Sequence, residues 1–348
     1  MLNGFGSHIK EDKLMNKKIK VASFVIGSVV CFSCLATTIC VSAKSSSNEV
    51  ENKVQTTSVN VKNNCNISGD SSKVVNPLSE KTLTENSSEN IKTTTDLEFK
   101  SVKEEIWHKM LNSIDYYNNV SGKMVYADSP GEDMYVEYQT NLDESKAYTE
   151  VQEINVSDSS VAVMSSDFSS CTDANTFDIE VFTNGTSLTM LDNIEKTAVN
   201  EDNSVCTREN AEEIKDDERV VIEEDGTPGY YYRCDVTNTY LASASLFPQE
   251  MTFGFLTDFD LWNVDNTETY AGRKCYVISG VSSEEYGNKI GVKNFQMYVD
   301  CQTGVLLKYV GYDEDKNIHA YLATEEIHFE EGNAVVYKPS TAGYTFVK

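Results

Sequence analysis

The residues able to do chemistry are few in this 348-residue chain, and their spacing keeps them apart. It has four histidines: His8, His108 beside Lys109, and His319 and His328 nine positions apart. An odd gap points two side chains to opposite faces of one continuous strand. His319 and His328 therefore converge on a metal only across a bulge, even with Glu325 and Glu326 beside them. His108 reads as a solvated histidine on the polar side of a helix. There is no Gly-x-Ser-x-Gly elbow, His-Glu-x-x-His pair, P-loop or Gly-x-Gly-x-x-Gly turn opening a helix. Acidic residues number 55, so chance carboxylate pairs are inevitable, and no pair stands apart as a glycosidase-like acid and base. Asp313-Glu314-Asp315-Lys316-Asn317 has the composition of a calcium loop without its central Gly or distal Glu, and reads as a solvated turn. No catalytic residue, metal ligand or cofactor is assigned. The chain reads as non-catalytic, with an envelope hydrolase using paired carboxylates as the weakest alternative.

Cysteine and tyrosine are the other reactive types. Three of nine cysteines lie in one hydrophobic run, and the remaining six contain no Cys-x-x-Cys, which argues against a zinc knuckle. Cys275 and Cys301 both fall in strand-like segments; a disulfide between them and two separate buried thiols are equally open. Most of the 19 tyrosines, such as Tyr135, Tyr148, Tyr276 and Tyr298, alternate within strand-like runs, where aromatic residues are favoured without any sugar to stack on. Tyr230-Tyr231-Tyr232 must face both sides of its strand.

The elements that would carry these residues begin with an address. Met15-Asn16-Lys17-Lys18-Ile19-Lys20 is basic, Val21 to Cys40 is uncharged, and Val41-Ser42-Ala43 supplies small residues of the kind a signal peptidase accepts. Residues 1–43 read as a signal peptide or a retained membrane anchor. Either places the chain outside the cytoplasm, secreted or anchored to the outer face of the membrane. Residues 44–95 are rich in Ser, Thr, Asn, Lys and Glu without apolar periodicity, and read as a disordered linker. The formal charge of −26 repels phosphate backbones, which excludes nucleic acid as a natural partner.

Residues 96–348 form the predicted folded domain. A helix capped by Thr95-Asp96 carries an apolar stripe of Leu97, Val102, Ile106, Met110, Leu111, Ile114 and Tyr117. Strand-like runs follow at 122–127, 133–140, 147–155, 176–183, 186–191, 229–236, 273–280, 292–300, 305–312, 319–330 and 334–337. Asn184-Gly185 predicts a type I′ hairpin with positive φ at both central residues. Residues 207–219 read as a charged surface helix or loop. Short runs joined by local turns predict an α+β, mostly β fold: one strongly curved antiparallel sheet with the N-terminal amphipathic helix laid across it.

Four blocks in a fixed order carry a resemblance. A helix ending Met110-Leu111-Asn112-Ser113-Ile114-Asp115-Tyr116-Tyr117 runs into Gly122-Lys123-Met124-Val125-Tyr126. The Asn184-Gly185 hairpin leads to Leu188-Thr189-Met190-Leu191-Asp192. Tyr270-Ala271-Gly272-Arg273 through Ile278 follows the Trp262 segment, and Met297-Tyr298-Val299-Asp300 passes through Thr303-Gly304 to Lys308. This order resembles the lipoprotein-carrier superfamily: LolA-like carriers, RseB/MucB-type sigma-factor regulators and exported proteins of Gram-positive bacteria. The resemblance implies an unclosed β-barrel covered by the N-terminal helix and short helices or loops, with an apolar groove for lipid, acyl chains or a lipoprotein, where each CH₂ leaving water gains about 0.8 kcal/mol. The groove candidates are Ile106, Met110 and Ile114 on the helix, with Met124, Tyr126, Met134, Val136, Phe295, Met297 and Val299 on strands; a dry core explains the same pattern. It also implies a role as an envelope-stress sensor. The alternative partner is a peptide from a membrane regulatory protein. No counterpart of the family's lid-latching arginine stands out.

Overall fold

The computed structural model of the chain describes residues 99–154, 156, 163, 177–202, 214–224, 226–330 and 334–347. The signal or anchor segment and the linker lie outside the described residues, as does the Thr95-Asp96 cap. No described helix is long and apolar enough to cross a membrane.

Helix α1 spans Val102–Leu111, started by Ser101, whose side chain accepts from the Glu104 amide. Glu104 and Glu105 sit in its first turn and His108 and Lys109 in its last, matching the helix dipole. The helix stops short of the predicted stripe. Asn112 turns its side chain back to the His108 carbonyl (2.9 Å) and its backbone out of helical geometry, so Ser113–Asp115 tightens to a 3₁₀ turn.

One antiparallel meander follows: β1 (Asn119–Ala127), β2 (Met134–Asn141), β3 (Lys146–Glu153), β4 (Ile179–Thr183), β5 (Ser187–Asp192) and β6 (Thr197–Asp202). A small separate hairpin, β7 (Val220–Ile222) with β8 (Pro228–Tyr230), precedes the short helices α2 (Ser243–Leu246) and α3 (Gln249–Leu256). A second meander is built from β9 (Trp262–Tyr270), β10 (Arg273–Val281), helix α4 (Glu284–Ile290), β11 (Asn294–Asp300), β12 (Leu306–Tyr312) and β13 (Ile318–Glu330). The two meanders join where β13 pairs with β1. The result is a 12-stranded curved sheet, not closed into a barrel, in the order β14-β6-β5-β4-β3-β2-β1-β13-β12-β11-β10-β9. Among the described strands, only β14 (Thr345–Phe346) runs parallel to its neighbour.

The centre of the sheet is buried on both faces. The inner face lies under α1 to α3. On the outer face Val125, Tyr135, Val310, Tyr321 and Ala323 form a second core under Ile154 and Val163.

Several predicted elements differ. Only Gly185 in the 184–185 turn has positive φ; β4 and β5 are joined by the three residues 184–186, and the Asn184 carboxamide accepts from the amides of Thr186 and Ser187. The predicted strand 229–236 keeps ladder partners only to Tyr230. Residues 334–337 run extended across the outer face without joining the sheet: Val336 packs with Tyr148 and Phe182. Strands β6 and β9 went unpredicted; after the buried Trp262, β9 is largely polar on both faces because it is an edge strand.

Candidate functional site

Register places the strand candidates on one face. Ile278, Met297, Tyr309, Leu322, Tyr126 and Met134 are successive directly opposed partners across β10, β11, β12, β13, β1 and β2. Met124 and Val136 form the adjacent pair in the β1–β2 ladder, and Phe295 and Val299 flank Met297 at two-residue steps. The helices cover this same face: Phe255 of α3 touches Phe295 (4.7 Å between centroids) and Tyr309 (5.4 Å), and Tyr276 reaches Glu105 of α1. All seven strand candidates therefore share the inner face.

Nine of the ten candidates are buried: Ile106, Met110, Met124, Val136 and Met297 fully, Val299, Phe295, Ile114 and Met134 nearly so, while Tyr126 remains partly exposed. In this structure they form a packed layer between sheet and helices, with α1 as its roof. Ile114 belongs to the 3₁₀ turn rather than to the helix. A separate cavity of about 180 Å³ lies on the outer face, lined by Lys123, Glu137, Tyr148, Glu150, Glu326 and His328, and touches none of the ten.

The roof is held mainly at its ends by polar bonds. At the start of α1, Lys103 donates to the carbonyls of Phe259 (2.6 Å) and Trp262 and lies over the Trp262 ring. Further along, Lys109 donates to the Cys301 carbonyl at 2.6 Å. That carbonyl belongs to the Asp300–Gly304 turn, whose Asp300 carboxylate accepts from the amides of Gln302 and Thr303 and from the Arg273 guanidinium (2.7 Å). Gly304, at φ 75°, lies so close to α1 that a Cβ would fall 2.3 Å from the Lys109 backbone.

A clasp that sequence reasoning missed closes the C-terminal end of α1. Arg233 donates to Asn112 (2.9 Å) and, through both terminal nitrogens, to Asp115. Arg219, fully buried, donates to Gln249 and lies over the Phe253 ring. Gln249 in turn accepts from the Arg233 amide and donates to its carbonyl. Burial, with Arg233 adding like charge, pulls the Arg219 guanidinium down to about 10. His108 joins this cluster through Asp216 (2.6 Å), so it is not the solvated helix residue expected. A signal was present: the chain has only four arginines among 29 basic residues, and arginine suits buried, multiply bonded positions.

The Cys275–Cys301 disulfide is not formed; both are free thiols. Cys275 is directly opposite Asp300, so Cys301 is one residue out of register and its side chain leaves on the other face. Burial, with Asp300 nearby, pushes the Cys275 thiol up to about 12. Cys234 is disulfide-bonded instead.

No protein-family model matches the chain. No curated protein matches it either. Solved structures are similar in fold. An uncharacterised conserved protein from Thermus thermophilus has 7% identity and a TM-score of 0.37, over 71% of this chain and 99% of the other. MucB has 12% identity and a TM-score of 0.38, over 71% and 66%. A putative outer-membrane lipoprotein-sorting protein domain from Vibrio parahaemolyticus has 8% identity and a TM-score of 0.25, over 66% and 93%.

Proposed function

We propose that this chain is an extracytoplasmic, non-catalytic binding protein whose inner face receives the acyl chain of a lipid or lipoprotein. The organisation that goes with this reading is an export signal or anchor at 1–43, a linker at 44–95 and a single binding domain at 96–348. The observation that carries it is the row from Ile278 to Met134: an apolar stripe across six strands, roofed by three short helices rather than by a second sheet. Short helices tied down by side-chain bonds at their ends can lift without breaking a β ladder, and the layer beneath them exchanges one apolar contact for another when a chain enters. The test is mass spectrometry of organic extracts from the purified full-length chain, before and after incubation with phospholipid vesicles. Recovery of a stoichiometric amphiphile supports the reading; a protein that stays empty under both conditions defeats it.

A second reading rests on a different observation. Strand β9 is nine residues long, pairs only with β10, and leaves its other edge without a strand among the described residues. An extended peptide from a membrane regulatory protein adds to such an edge through backbone bonds. In that case pull-down from membranes recovers one protein rather than lipid, and a proline at Thr267 in β9 abolishes the capture.

A further inference from the structure

The hydroxyl groups of the inner face fall into two sets. Across β2, β3 and β4, Thr140, Ala147 and Thr183 are directly opposed in one row, and Tyr138, Thr149 and Val181 in the next. Tyr138 stands two residues from Val136, so both rows belong to the inner face. The coil at 235–239 crosses one side of them. There Thr149 donates to the Thr239 carbonyl at 3.0 Å, and Thr183 donates to the Thr237 carbonyl. Tyr138 and Thr140, on β2, are 2% and 1% exposed, and neither hydroxyl has a hydrogen-bond partner among the described residues. Thr324, opposite Met124 on β13, is equally buried and equally unpaired.

A glycine decides where the phenol goes. Gly122 is the partner of Tyr138 on one side and of Ile327 of β13 on the other. A Cβ at Gly122 would fall 2.4 Å from the Tyr138 hydroxyl oxygen, 2.7 Å from the ring carbon that bears it and 2.6 Å from the Glu326 carbonyl oxygen. The ring therefore lies across β1 in the space of the absent side chain. Its hydroxyl ends at the seam between β1 and β13, the seam on which Thr324 also stands. Polar groups buried this deeply are normally paired, and leaving one unmade is costly.

The chemistry on offer is narrow. Burial, and then the Glu326 charge, raises the Tyr138 phenol, so it stays a neutral donor. The charge that acts on it is negative, which disfavours an anion. Glu326 is itself engaged on the outer face by Lys123 at 3.2 Å, so it does not call for a cation. Hydroxyl donors set in an apolar layer match an uncharged acceptor, a carbonyl oxygen.

We propose that Tyr138, flanked by Thr140 and Thr324, is the polar subsite of the inner face and takes the uncharged carbonyl of an acyl ester or amide. The subsite rests on the acyl-chain reading and fixes where the root of that chain lies.

The full chain is titrated calorimetrically with monodecanoylglycerol, with the monodecylglycerol ether that lacks only its carbonyl oxygen, and with decanoate. We expect the ester to bind about tenfold more tightly than the ether, the worth of one buried hydrogen bond, and more tightly than the anion. Tyr138→Phe removes the hydroxyl alone and brings the ester down to the ether. Its urea midpoint does not fall, because no bond within the protein is lost. Thr149→Val is the opposite case: its hydroxyl is already engaged by the Thr239 carbonyl, so stability falls and the preference stays. Equal binding of ester and ether by the unmodified chain, or a preference that survives in Tyr138→Phe, overturns the subsite and leaves the acyl-chain reading standing. Decanoate bound as tightly as the ester overturns the choice of an uncharged group. Binding of none of the three defeats the acyl-chain reading and the subsite with it.

Discussion

Asp115 and Arg233 meet through two bonds, of 2.6 and 3.1 Å, across 118 residues of sequence. The pair ties the 3₁₀ turn after α1 to the coil after β8. Gln249 extends the tie to the start of α3 through both its amide atoms. Three pieces of the roof are thereby pinned at one polar point, whereas elsewhere they meet the sheet largely through apolar side chains.

Arg233→Ala should therefore cost about 2–3 kcal/mol, because it strips charge-assisted bonds from Asp115 and Asn112 at a position that is itself almost fully buried. Asp115→Asn, whose side chain is partly open to water, should cost less. Urea unfolding of both variants measures this. A midpoint for Arg233→Ala indistinguishable from the unmodified protein would show that the clasp is ornamental.

Gly304 and Gly131 separate two costs of replacing glycine. Both have positive φ, 75° and 82°. Around Gly131 nothing lies within 4 Å of a new Cβ, so Gly131→Ala should lose only the left-handed strain, about 1–2 kcal/mol. Gly304→Ala adds a clash with the Lys109 backbone that only a shift of α1 relieves, and should cost clearly more, about 3 kcal/mol. Thermal unfolding by circular dichroism ranks them. Equal losses would mean that α1 yields freely against the Asp300–Gly304 turn.

Periodicity made the β elements legible wherever one face is apolar. Met124, Met134, Phe295, Met297 and their partners were placed on a common surface because two-residue alternation fixes the face once the register is set. The same rule hid β9 and the tail, since beyond the buried Trp262 an edge strand bearing Asn263, Asp265, Asn266 and Thr267 has no alternation to read. The end of α1 was misjudged because Ile114 and Tyr117 continue the apolar spacing, while Asn112 breaks the backbone through a side-chain bond. The clasp was out of reach for a different reason. Its members are Asn112, Asp115, Arg219, Arg233 and Gln249, and only the fold gathers residues from three distant segments. Cys275 and Cys301 illustrate the limit of spacing: each sits in or beside a strand, yet a one-residue offset separates their faces.

The outer face predicts an unusual pH response. Glu137, Glu150 and Glu180 are directly opposed across β2, β3 and β4, an arrangement relieved in part by the Tyr148 hydroxyl on Glu150 and Glu180, by Asn193 donating to Glu180 and by Lys123 beside Glu137 (3.8 Å). Burial, and then the neighbouring glutamates, raises the Glu150 carboxyl above its ordinary 4.5. A carboxyl raised in the folded state binds its proton more tightly folded than unfolded. Stability should thus rise as pH falls through the folded value toward 4.5, and fall as pH rises. Asp128, Asp178 and Glu250, raised chiefly by burial, act in the same direction. Glu150→Gln should stabilise the protein at pH 7 by up to about 1 kcal/mol and flatten the slope. Melting temperatures from pH 7.5 down to 4.5 give the answer, and an unchanged slope in the variant would assign the effect elsewhere.

The chain after β13 crosses the outer face and ends on the other margin of the sheet. Val336 packs with Tyr148 and Phe182, Tyr337 meets the Tyr148 ring at 4.8 Å, and Lys338 lies over Phe182. Beyond them Tyr344 stacks under Lys196, and the amides of Thr345 and Val347 donate to Lys196 and Ala198 at 2.9 Å, pairing the margin of β6. A chain stopped at Glu330 loses these contacts together. It uncovers two aromatic side chains and hands a free strand edge to solvent, the condition under which sheets pair with one another. The truncated protein should remain folded, because the ladder from β1 to β6 is intact. It should also lose about 2–3 kcal/mol of stability and self-associate in a concentration-dependent way. Light scattering coupled to size exclusion distinguishes the outcomes, and restoring the segment as a separate peptide should return the monomer. A truncated chain that stays monomeric at high concentration would show that the exposed Asn200, Glu201 and Asp202 of β6 protect the edge unaided.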